Sequence, residues 1–285
     1  MRLKFLIVLF ILNYTLISAQ EKQKDSLSNW KTEGKATLLF NQSSFSNWIS
    51  GGDNAVAGNL NVDYIFNYKN KNWTWNNSMA LAYGINNSKS KGTRKTEDRV
   101  EWKTLVGYKK DKNWYYSFFL NFQTQFFNGY DYKKDPDATT PISTGFSPAY
   151  INFGPGILYE KTSDLKINLA PATSKLTIVT DDTLSKQGAY GVTPGKTVKE
   201  DLGFYASIYY KRTIMENIDM INKLDLYANY IKDFKNIDFD YQVKFVMKVN
   251  KYMSTNLNFQ AVYNNQALSR LQFKEIFGIG FNYDL

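Results

Sequence analysis

Carboxylates come in close pairs along this chain, and paired carboxylates are a simple route to acid–base chemistry or cation binding. Glu97 and Asp98 are adjacent, and Asp238 and Asp240 are one residue apart. Residues two apart on a strand point the same way, so Asp238 and Asp240 are the pair that could share a proton. They lie beside a short loop, where a solvated rim is the expected setting. Asp131, Asp135 and Asp137 could offer oxygens to Ca²⁺, which takes several. They lack the remaining positions of a calcium loop, so no metal site is expected. Histidine and cysteine are absent. That removes the commonest general base, thiolate nucleophiles, disulfides and zinc–thiolate sites. A hydrolase would then need a Ser–Lys arrangement, and no such motif stands in a strand–helix setting. The sequence predicts a protein that is not an enzyme and carries no cofactor.

The elements that must position any site follow from charge and patterning. The chain opens MRLKFLIVLFILNYTLISAQ, a basic head, an apolar run and small residues. This is the layout of a signal peptide over residues 1–19, cleaved after Ala19, with a polar leader over 20–33. Processing removes Arg2 and Lys4, so the net charge of +9 falls by two to +7. Lys and Arg are scattered and never gather into a run of five, so no nucleic-acid partner is expected. Beyond the first segment no apolar run is long enough for a membrane-spanning helix. With 21 Tyr, 20 Phe and 6 Trp, the chain is rich in strand-forming aromatics.

The stretch LNVDYIFNYKNKNWTWNNSMALAYGI (60–85) shows the pattern. Apolar residues alternate with polar ones up to KNKN, and the alternation resumes beyond it, as in a long β-hairpin with one oily face. The same reading gives about twelve strands over residues 34–285, near 34–42, 60–68, 73–85, 97–109, 113–127, 149–160, 165–173, 201–211, 219–231, 237–250, 254–265 and 273–285. Gly154-Pro155-Gly156 predicts a kink or bulge in the sixth. Connections alternate between tight polar turns and long loops, the latter including 85–96 and 174–200. This is the plan of a transmembrane, antiparallel, up-and-down β-barrel.

A soluble sandwich also alternates, so the side facing lipid needs further signals. Tyr68, Trp73, Trp75, Tyr108, Trp114, Tyr116, Tyr159, Tyr210 and Tyr252 gather beside the tight turns, where an interfacial girdle belongs. A twelve-stranded barrel is also too wide to fill with an apolar core. The lumen should then hold Asp63, Arg99, Glu101, Lys103, Lys166, Lys223, Asp225, Asp240 and Lys244, charges of both signs. Mixed signs favour a self-paired interior over a selective charge ring. Phe45 and Trp48, followed by Gly51-Gly52, mark an outer loop suited to contacts.

Several segments also carry a family resemblance: NQSSFSNWISGGDNAVAGN (41–59), WYYSFFLNFQTQFFNGYDY (114–132), FSPAYINFGPGILYE (146–160), SKLTIVTDDTLSKQGAYGV (174–192) and LQFKEIFGIGF (271–281). From about residue 30 to its end the chain resembles a family of outer-membrane β-barrels of unknown function found in Bacteroidetes-type bacteria. The resemblance implies the barrel and the location and brings no catalytic residues. Asp25-Ser26-Leu27 and Asp182-Thr183-Leu184 resemble O-glycosylation sites of such bacteria. The expected protein lies in the outer membrane of a Gram-negative bacterium with both termini periplasmic. Its expected partners are outer-membrane lipid and other outer-membrane proteins. The leading function is a non-catalytic structural or interaction subunit, and the alternative is a narrow channel for small polar solutes.

Overall fold

A computed structural model describes residues 29–44, 53–132, 134–231 and 237–285. The signal peptide, most of the leader, and Phe45, Trp48, Gly51 and Gly52 lie outside the described residues. The strands are β1 (Trp30–Ser43), β2 (Ala55–Lys69), β3 (Trp73–Ser88), β4 (Gly92–Asp111), β5 (Trp114–Thr124), β6 (Ala149–Thr162), β7 (Leu165–Ile178), β8 (Val198–Met215), β9 (Ile218–Asn229), β10 (Ile237–Lys248), β11 (Met253–Asn264) and β12 (Leu268–Asp284). Each pairs antiparallel with its sequence neighbours, and β1 pairs with β12 to close the barrel.

Burial is inverted relative to a water-soluble protein. Leu60, Trp73, Phe118 and Phe277 are about half exposed, while Asn168, Thr173, Asp201 and Glu101 are buried. In water such a wall would be unstable, because apolar area costs roughly 25 cal/mol per Å² when wetted. In lipid that cost vanishes, and a closed sheet leaves few backbone groups without partners. The architecture is that of a transmembrane β-barrel of the outer-membrane type.

One end carries tight turns and a belt of rings. Trp30 pairs in register with Tyr68, Tyr68 with Trp75, Trp73 with Tyr108, Tyr108 with Tyr116 and Trp114 with Tyr159. Centroid separations of 5.2 Å for Trp30–Tyr68, 5.0 Å for Trp73–Tyr108 and 4.8 Å for Trp114–Tyr159 make the belt a packed ring. Tyr210 joins it opposite Leu165, and Tyr252 lies in the β10–β11 turn. Trp30 belongs to the belt because β1 starts at residue 30, inside the expected leader.

The other end departs from expectation at two places. Residues 92–96 belong to β4, so the β3–β4 connection shrinks to a tight turn at 89–91. Residues 174–178 belong to β7, which resumes beyond an irregularity between Ala170 and Thr173. The expected bulge in β6 is present between Phe153 and Ile157. It needs its glycines, because a Cβ on Gly154 would stand 2.3 Å from the Ala172 carbonyl oxygen and one on Gly156 2.6 Å from that of Leu169.

The β7–β8 connection folds into a small cap. Helix α1 (Asp182–Lys186) starts at Asp181, whose carboxylate accepts the Thr183 and Leu184 amides at 3.0 and 2.9 Å. Val179, Leu184 and Val192 form its core, with Ala189 and Tyr190 against them. Two hydrogen bonds tie it to the β5–β6 loop: Tyr190 Oη donates to the Ile142 carbonyl at 2.7 Å, and the Asp181 amide donates to Ser147 Oγ at 3.2 Å. Thr183, the described half of the glycosylation-like tripeptides, is exposed on this cap.

Candidate functional site in the barrel lumen

Alternation turns the polar residue of each strand inward, and the closed sheet brings distant strands face to face. The densest group sits at the waist. Lys103 on β4 reaches Asp225 on β9 at 2.6 Å and Glu101 at 3.1 Å. Tyr205 Oη on β8 donates to Asp225 and accepts from Asn121 Nδ2 on β5 at 2.8 Å. Arg99 on β4 lies 3.7 Å from Glu101, and its Nη1 donates to Gln242 Oε1 on β10 at 3.2 Å. In a ring of twelve, β4 and β10 are six strands apart, hence diametrically opposed. Side chains from opposite walls therefore touch.

Further pairs flank this layer. Toward the tight turns, Lys69 meets Glu160 at 3.1 Å, and Lys166 Nζ donates to Asn76 Oδ1 at 2.6 Å. Toward the loops, Lys274 meets Glu97 at 2.5 Å and Lys175 meets Asp238 at 2.7 Å. Asp240 accepts from Gln242 Nε2 and Gln260 Nε2, the latter at 2.9 and 3.0 Å. Beside the charges, Phe119 stacks on Tyr205 at 4.5 Å and 15°, with Ala170, Tyr227 and Leu105 around them. A cavity of about 190 Å³ remains on the loop side, its lining including Arg99, Gln123, Tyr150, Gln260 and Lys274.

These contacts revise several expectations. Asp238 and Asp240 are not a solvated rim: each is held by side chains from other strands. Glu97 and Asp98 are each held by a separate cation, Lys274 and Lys95. Asp98 binds Lys95 at 2.7 Å and accepts the Phe126 and Phe127 amides at 3.0 and 2.8 Å. The lumen is also fuller than its diameter implies, because long charged and aromatic side chains span what an apolar core cannot. Of the expected lumen residues, Arg99, Glu101, Lys103, Asp225 and Asp240 converge at the waist. Lys244 and Asp63 form a separate, looser pair at 3.9 Å, and Lys166 belongs to the turn-side group. Lys223 pairs in register with Gln242.

The residues that sequence reasoning missed are Tyr205, Asn121, Gln260, Lys175, Lys274 and Glu160. Lys175 fell in an expected loop; for the others the inward parity was readable, but which opposite strand each would meet was not. Asp131 and Asp135 serve their own loop, accepting the Lys134 and Asp137 amides at 3.3 and 3.0 Å. Among the described residues, no group of three or more acidic side chains converges as a metal site.

A family model described as a protein of unknown function (DUF3078) matches residues 40–130, from the end of β1 to the loop after β5. No curated protein matches the chain. Among solved structures, it is similar to an outer membrane channel from Pseudomonas putida F1, at 9% identity and a TM-score of 0.41, over 93% of this chain and 98% of that one. It is also similar to the translocator domain of the autotransporter NalP from Neisseria meningitidis, at 8% identity and a TM-score of 0.37, over 98% of this chain and 97% of that one. A third is outer membrane phospholipase A from Escherichia coli, at 10% identity and a TM-score of 0.37, over 90% of this chain and 98% of that one.

Proposed function

We propose that this protein is a structural or interaction subunit of an outer-membrane assembly, a barrel with no open path through its waist. The observation that carries this reading is the direct contact between opposite walls, Lys103–Asp225 and Arg99–Gln242. An ion crossing that layer must break half-buried, partnered charges, and removing one partner of such a pair leaves the other uncompensated. A conducting pore would instead keep a hydrated column along its axis. The start of β1 and the end of β12 lie on the tight-turn side, which faces the periplasm in barrels of this plan. The loops, with the α1 cap among them, then face outward, where contacts with other molecules are made.

The alternative is a narrow channel for small polar solutes, and the cavity beside Tyr150 and Gln260 is what favours it. Planar-bilayer recording of the purified full chain separates the two. The expected result is no steady conductance from the wild type. A steady open conductance would sink the closed-barrel reading.

A further inference from the structure

The barrel wall is uneven at one seam. The β1–β12 ladder runs only from Lys35–Asp284 to Phe40–Ile279, six residue pairs. On its other side β1 pairs with β2 over fourteen, from Trp30–Tyr68 to Ser43–Ala55. Asn41, Gln42 and Ser43 therefore stay in the sheet without a β12 partner among the described residues. Above Ile279, β12 continues for eleven residues to Leu268 with β11 on one side. Among the described residues, its edge toward β1 has no ladder partner there.

Position makes this edge costly. Eight residues separate Glu275 from Tyr283 at the turn end. At ~3.3 Å per residue and a tilt of about 40° that is roughly 20 Å, within an apolar band about 25 Å tall. The outward residues agree, since Leu271, Phe273 and Phe277 are 60%, 64% and 53% exposed. An open sheet edge does not persist in hydrocarbon, because each unpaired amide or carbonyl costs several kcal/mol. Elsewhere such an edge recruits an extended segment as an added strand.

Glu275 adds a second, independent observation. It shares the outward face with Phe273 and Phe277, its residue is exposed, and no cation reaches it among the described residues. A carboxylate on a lipid-facing strand is rare and calls for a partner of opposite sign. The outward series of β12 runs Leu271, Phe273, Glu275, Phe277, Ile279, Phe281, Tyr283 and holds no Lys or Arg. A second copy joined edge to edge through β12 would bring another carboxylate and no cation.

We infer that the loop-side half of β12 is a docking edge for an extended segment of a different membrane protein, adding as a strand and placing a Lys or Arg against Glu275. This rests on the interaction-subunit reading and names the kind of partner. The test is site-specific photo-crosslinking in the bacterium that makes the protein, with p-benzoylphenylalanine in place of Phe273. Phe118, equally outward but on β5, is the control position. The expected result is an adduct to another polypeptide at 273 and none at 118. The captured peptide should be apolar with one Lys or Arg, and the adduct should fall at least fivefold with Glu275→Lys. Heat-modifiable gel mobility checks that the variant folds; if it does not, the isosteric Glu275→Gln is read in its place, with a smaller fall expected. Lipid adducts only, an adduct to a second copy or within the chain, or an adduct indifferent to residue 275 would each overturn the proposal. The bilayer recording is independent: conductance would sink the closed barrel and leave the docking edge standing, whereas silence with no adduct would do the reverse.

Discussion

Lys103 is the cation on which two carboxylates from different walls converge, Glu101 at 3.1 Å and Asp225 at 2.6 Å. Lys103→Met keeps the stem and removes the charge, leaving two acids facing each other in a partly dry lumen. It should cost about 3–5 kcal/mol, read by urea unfolding in liposomes. Lys103→Met combined with Asp225→Leu should recover part of that loss, since no lone Asp225 charge remains. The outer face holds a smaller polar chain near the ring belt. Trp75 Nε1 donates to Thr104 Oγ1 at 2.8 Å, Thr104 Oγ1 donates to Asn77 Oδ1 at 2.7 Å, and Asn77 Nδ2 donates to the Phe66 carbonyl at 3.0 Å. Each polar group reaching lipid there has a partner, as a low dielectric demands. Of all this, the inward or outward parity of each residue was legible in the sequence, because it depends only on period two. The pairings were not. Lys274 meets Glu97 across 177 positions of chain, and that meeting is set by the diameter and stagger of the closed sheet.

Among the elements, β6 and β7 lean on each other's irregularities. Gly156 leaves room for the Leu169 carbonyl, so Gly156→Val drives a branched side chain into backbone that cannot move aside. A loss of about 1–3 kcal/mol is expected, as for overpacking. Gly58→Ala, where the nearest atom to a new Cβ is 4.0 Å away, should change stability by less than 1 kcal/mol. Midpoint shifts in the same urea titration check both. The strands and the Gly-Pro-Gly bulge were readable because alternation and ladder-breaking residues are local signals. Residues 92–96 and 174–178 read as loop because they are largely polar, yet they lie in strands. At the loop end of a barrel a strand can be wetted on both faces, so backbone pairing outlasts the oily pattern. Trp30 was missed for a related reason: the polar residues beside it read as leader, and only its register with Tyr68 places it in the belt.

The whole molecule depends on which medium touches which face, and β10 tests that in two adjacent residues. Val243 pairs with Phe259 and Asn222 on the outward side, midway along the strand. Val243→Arg should cost about 2–4 kcal/mol, because the charge must snorkel or thin the bilayer. Lys244 faces the lumen, and its nearest carboxylate, Asp63, is 3.9 Å away. Lys244→Gln should cost under about 1 kcal/mol, as for a loose ion pair. Folding into liposomes, followed by heat-modifiable mobility, reads both. Equal folding of the two variants would mean that the apolar face does not meet lipid.

The ring is also the one place where the chain must find its own far end. Every other ladder joins strands adjacent in sequence, so the sheet can zip hairpin by hairpin. Closure alone joins groups as distant as Thr37 and Asn282, 245 positions apart. Loop entropy grows only with the logarithm of length, and a curved sheet already formed holds its ends near each other. A short ladder therefore suffices to shut the ring. On that order of events, the line between β1 and β12 is the last to zip during assembly. It is then the part of the wall that a folding chain presents longest to its neighbours in the membrane.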